Sequence, residues 1–83
     1  MYNAKYVIID GCAIVFSAAI KHSDMVGYSE IAQGAGFVRF ESKLDPTYGD
    51  MLVIAKAYGR SESLGVESRE EDSDIITRQI SNI

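Results

Sequence analysis

Eighty-three residues, 47% of them hydrophobic, bound this chain to one small folded domain over 1–83, too apolar for a disordered polymer and too short for two cores. A single cysteine, Cys12, excludes an intrachain disulfide framework, so a reducing cytoplasm is the expected setting. The net charge is −4, and Lys and Arg stand singly at 5, 21, 39, 43, 56, 60, 69 and 78 without the cation cluster of a nucleic-acid binder; no direct nucleic-acid contact is expected, and an acidic surface suits a basic protein partner.

Lys5–Ile9 (KYVII) and Cys12–Phe16 (CAIVF) are two short β-branched and aromatic runs around Asp10-Gly11. That dipeptide supplies the positive φ angles of a type I′ turn, which predicts a β-hairpin. Both runs are apolar on both faces, as in strands covered on two sides or lying at a dimer interface. Asp10-Gly11 also interrupts the apolar stretch Tyr6–Ile20, and Lys5 alone is a poor positive flank. Neither a cleaved signal nor a membrane-spanning helix is expected.

Ser17–Gly27 changes character: Ala18, Ala19, Ile20 and Met25 favour a helix of one to three turns that Gly27 would end, and Ser23 and Asp24 suit the cap of a shorter turn ending there. Tyr28–Glu41 reads as a third strand region broken by Gly34-Ala35-Gly36, where glycine marks a bulge, a bend or the close approach of another backbone. Leu44–Asp50 holds the only proline and is a loop. Met51–Tyr58 (MLVIAKAY) is the fourth strand. Gly59–Ser68 is a polar loop that Leu64 and Val66 anchor to the core, with Ser61, Ser63 and Ser68 bonding its backbone. Ser68-Arg69-Glu70-Glu71 matches a capping box, and Ile75, Ile76, Ile80 and Ile83 form the apolar stripe of a C-terminal helix. The expected fold is α+β: β-β-short α-β-β-α, a four-stranded antiparallel sheet with the last helix packed on one face.

Chemistry is sparse. Cys12 and His22, with Asp10 and Asp24 nearby, are the only residues from which a nucleophilic or metal set can be assembled. Cys12 lies in an apolar run, where a free thiol behaves as a small buried hydrophobe. His22 opens or caps the short helix, or faces solvent. One Cys and one His fall short of a zinc site, Asp45 and Asp50 fall short of a calcium loop, and Gly59–Ser68 lacks phosphate-loop spacing. No catalytic residue, cofactor or metal is therefore expected. Partner contacts are assigned to Arg60, Ser61 and Ser63, with Arg60 offering its planar fork to a carboxylate, and to Tyr48 in its polar turn. Tyr2, Tyr6, Tyr28 and Tyr58 are the remaining tyrosines.

Phe16-Ser17-x-x-Ile20-x-His22, Ala35-Gly36-Phe37-Val38, and Tyr58-Gly59-Arg60-Ser61-x-Ser63-Leu64-Gly65 leading to Glu71-Asp72-Ser73 resemble segments of small single-domain proteins found on phage, prophage and other mobile DNA. The resemblance implies a cytoplasmic accessory protein of unassigned function and brings no catalytic residues. The expected function is binding of a host or phage protein, without an enzyme activity and without a membrane. Two alternatives stand beside it: a homo-oligomeric structural module, with a homodimer as its simplest form, and a small enzyme or regulator using Cys12 or His22.

Overall fold

The computed structural model describes residues 3–81. Strands β1 (Asn3–Ile9) and β2 (Cys12–Phe16) pair antiparallel, with Ile9 opposite Cys12. Asp10 and Gly11 between them have φ of 51° and 76°, the two positive angles of the expected type I′ turn. Strand β3 (Gly34–Leu44) pairs with the other side of β1, and β4 (Met51–Tyr58) continues beyond β3, so the order is β2-β1-β3-β4. Helix α1 (Glu70–Ser81) packs against this curled sheet, as expected for the α+β class. A two-residue ladder, β5 (Arg60–Ser61) with β6 (Val66–Glu67), closes the loop before it.

Strand alternation divides the apolar residues between two cores, which explains why β1 is apolar on both faces. Ala4, Tyr6, Ile8, Val38 and Ala55 face α1 and bury Ile76. Val7, Ile9, Phe16 and Ala35 face the opposite way and are covered by Met25, Val26, Leu64 and Val66 from the loops. Leu64 and Val66 thus anchor the loop as expected.

Helix α1 also meets the sheet edges. Its Ser73 and Thr77 hydroxyls accept from the N–H groups of Ala57 and Ala55 on the outer side of β4, at 2.9 and 3.0 Å. One flank round, the Gln79 amide accepts from Ala13 N–H at 2.8 Å and donates to Ala13 C=O at 2.7 Å, pairing with β2 as a neighbouring strand would. One helix therefore satisfies backbone groups of both edge strands, which would otherwise invite intermolecular pairing.

Several expectations change. The third strand begins at Gly34 and runs to Leu44, and residues 28–33 lie outside it. Gly34-Ala35-Gly36 is neither bulge nor bend, since Gly34, Ala35 and Gly36 pair in unbroken register with Ile8, Val7 and Tyr6. A Cβ on Gly34 would overlap the Asp72 carboxylate, and one on Gly36 would lie 2.5 Å from the Tyr58 carbonyl oxygen. Close approach is the reason for both glycines.

Within Ser17–Gly27 the helix is a single four-residue 3₁₀ turn, His22–Met25, without a side-chain cap, and it is held by the buried His22 and by Met25 and Val26 on the core. The capping box is displaced by one residue. Ser68 donates its hydroxyl proton to the Gly59 carbonyl at 2.8 Å, whereas Asp72 reaches back to accept from Arg69 N–H at 3.0 Å. Asp72 wins the role over Glu71 because it is also the acceptor for a buried tyrosine, described below. Ile83, the last residue of the expected stripe, and Tyr2 lie outside the described residues.

Candidate functional site: a basic groove beside the Gly59–Ser68 loop

Four residues in register form a row across the sheet on the face away from α1: Phe16, Lys5, Phe37 and Tyr58. Phe37 and Tyr58 stack with centroids 5.8 Å apart, and the Lys5 ammonium lies 6.0 Å from the Phe37 centroid while donating to the Ile20 carbonyl at 2.9 Å. Gly59, at φ 74°, turns the chain directly above Phe37, and a Cβ there would come within 3.1 Å of the ring. The loop then runs back over the sheet through β5 and β6.

His22 joins this row to the 3₁₀ turn. It is buried, edge-on to Phe16 and Phe37 at 5.5 and 5.9 Å, and its Nε2 lies 2.7 Å from the Gly36 carbonyl oxygen. A carbonyl only accepts, so Nε2 carries the proton. His22 opens the turn as expected, but it does not face solvent: two aromatic edges and one strand carbonyl fix it. The second fastening is Ser23 N–H donating to the Ser63 hydroxyl at 3.3 Å.

Between loop and turn lies an open groove of about 740 Å³. The sheet contributes Lys5 and Phe37, the turn side Lys21 and Ser23, and the loop Arg60, Glu62 and Ser63. Arg60 is half exposed and only 3.8 Å contacts link it to Glu62 and Glu67, too long and too wet to hold the guanidinium. Its fork remains open to a carboxylate from outside.

The residues assigned to partner contact separate on folding. Arg60 and Ser63 line the groove. Ser61 is fully buried and its hydroxyl accepts from Leu64 N–H at 3.1 Å, so it builds the loop and is removed from the contact surface. Tyr48 is 79% exposed on the β3–β4 turn, at the far end of an eight-residue strand, roughly 26 Å away along β4. It belongs to a different surface. That turn is closed by Asp45, whose carboxylate accepts from Thr47 N–H at 2.8 Å.

Cys12 is exposed rather than buried: it follows the hairpin turn on an edge strand, beyond the reach of the loops that cover Val7 and Phe16. His22 packs on Phe16, four residues or roughly 13 Å along β2 from Cys12, so the two do not form a nucleophile and base. Among the described residues no three His, Cys, Asp or Glu side chains gather as a metal site.

The face around the groove carries a feature invisible to a reading of spacing along the chain. Arg39 and Lys56 pair across β3 and β4 in the row next to Phe37 and Tyr58, and Lys43 follows on the same face of β3. With Lys5, Lys21 and Arg60, six of the eight Lys and Arg residues share this side. Glu41, paired with Arg39 at 3.0 Å, and Glu62 and Glu67 interrupt them. Alternation with period two gathers what single-letter spacing scatters.

No protein-family model, curated protein or solved structure matches this chain. Among the described residues, no helix is long and apolar enough to cross a membrane.

Proposed function

We propose that the chain is a non-enzymatic accessory protein of a phage or mobile element that acts by binding a host or phage protein. The observation that carries the reading is the groove: Lys5, Lys21 and Arg60 converge on an aromatic floor, and their positive charge is incompletely neutralised by their own neighbours. Such a site holds a partner's anionic side chain by charge-assisted hydrogen bonds while the aromatic floor takes apolar area. The residues in the groove that order the loop, Ser63 and Gly59, pre-form it.

The test is retention of proteins from a lysate of the source organism on immobilised wild-type chain and on a Lys21→Glu/Arg60→Glu variant. Both positions are exposed, so the variant keeps the wild-type circular dichroism. A protein held by the wild type and lost from the variant supports the reading; equal retention by both overturns it.

A second reading, a homo-oligomeric module, draws on the opposite end of β4. The helix hydroxyls stop at Ala55, and among the described residues nothing bonds the outward N–H groups of Met51 and Val53. Leu44, Met51, Leu52 and Val53 are exposed there beside an apolar groove reaching Ile80. Antiparallel pairing with a second copy, Met51 opposite Val53 in each direction, satisfies those groups. Light scattering over a wide concentration range decides it: a dimer that Val53→Lys converts to monomer supports the module, and a monomer throughout removes it.

A further inference from the structure

We infer that the basic face binds an extended acidic segment of a protein, with carboxylates spaced by uncharged residues; this rests on the binding reading above and names the partner's chemistry. The whole chain is acidic, which by itself points to a basic partner. The fold reverses that conclusion locally. Lys5, Arg39, Lys43 and Lys56 project from three neighbouring strands on one face, and Lys21 and Arg60 extend the same side into the groove. Among the described residues, five of these six cations have no carboxylate within close hydrogen-bonding distance, and Arg39 has one, Glu41 at 3.0 Å.

Spacing narrows the ligand. Lys5 and Arg39 occupy adjacent rows, separated by two residues along the strands, and Lys43 lies two rows further with Glu41 between. Two residues of extended chain cover roughly 6.6 Å, the repeat at which carboxylates recur on one side of an extended peptide. A peptide can place an uncharged residue opposite Glu41, Glu62 or Glu67. A nucleic-acid strand cannot omit a phosphate, so each of these three carboxylates opposes it. The stacked Phe37 and Tyr58 offer apolar area to an intervening side chain. A mixed face of this kind matches an interrupted acidic peptide better than a continuous polyanion.

The experiment is fluorescence anisotropy with the full chain and three labelled probes of equal length: a peptide of alternating Glu and Ala, single-stranded decathymidine, and a peptide of alternating Lys and Ala. The Glu peptide is expected to bind most tightly and to weaken as salt is raised. Lys21→Glu/Lys56→Glu should weaken it roughly tenfold or more, since both sites oppose the ligand and repulsion replaces attraction. Arg78→Glu, on the outer side of α1, carries the same kind of charge change and should leave binding close to wild type. Tighter binding of decathymidine makes the ligand a nucleic acid and overturns the inference. Tighter binding of the Lys peptide, no binding of the Glu peptide, or an equal loss in Arg78→Glu overturns it as well. A lysate protein lost with Lys21→Glu/Arg60→Glu, alongside a Glu peptide that fails to bind, would leave the binding reading standing and remove only the acidic segment.

Discussion

Asp72 collects donors from two distant parts of the chain. Tyr6 Oη donates to its Oδ2 at 2.6 Å, Arg69 N–H to the same oxygen, and Arg69 Nε to Oδ1 at 2.9 Å with Nη2 at 2.8 Å. The carboxylate is fully buried beneath Gly34, in the space a side chain there would fill. Removing it strands a buried phenol and a guanidinium, so Asp72→Ala should cost about 3 kcal/mol or more by urea unfolding, against about 1 kcal/mol for Tyr6→Phe. Burial first, then the bond to Asp72, pushes the Tyr6 phenol far above its ordinary 10.0. The unfolded chain releases this proton as pH rises through 10 and the folded chain keeps it, so the contribution is complete below that pH and shrinks above it. The stability gap between wild type and Tyr6→Phe should therefore narrow from pH 8 to pH 11. None of this cluster was legible beforehand: Tyr6 and Asp72 lie 66 positions apart. Cys12 and His22 misled in a related way, because burial at a strand edge or under a loop depends on partners that local hydrophobicity does not name.

At the scale of elements, local chemistry was most legible where it acts locally. Asp10-Gly11 dictates its turn within two residues, and the Ile75, Ile76 and Ile80 spacing identifies α1. The boundaries of β3 were not legible, since Gly34 and Gly36 read as a break until Asp72 and the Tyr58 carbonyl are seen occupying their missing side chains. Gly34→Ala should consequently destabilise by about 2–3 kcal/mol in urea, the cost of overpacking against a carboxylate that cannot retreat. The β4 edge offers a second check. Thr77→Val keeps shape but removes the acceptor for Ala55 N–H; it should cost about 1 kcal/mol and raise hydrogen exchange at Ala55 above that at Ala57, which Ser73 still holds.

On the scale of the whole molecule, charge is sorted by side. Six cations share the face of Lys5 and Phe37, whereas Glu70, Glu71 and Asp74 are exposed on α1. Net charge summarised the chain without describing either surface, and the scattered positions 5, 39, 43 and 56 revealed their common side only once strand register was known. The fold class, by contrast, followed from patterns a few residues long. Of the assigned contact residues, Arg60 and Ser63 stay together because they share the loop closed by β5 and β6, and Tyr48 is carried away by the length of β4.

Gln79 holds β2 across the same separation of 66 positions that Tyr6 spans to reach Asp72. A chain emerging from the ribosome thus makes its first hairpin early and leaves both sheet margins open until the last segment is synthesised. Such distant closure favours slow folding, on the order of milliseconds to seconds. Nascent chains halted after Ser68 should stay protease-sensitive and prone to self-association, and release of residues 69–81 should bring protection in a single late step.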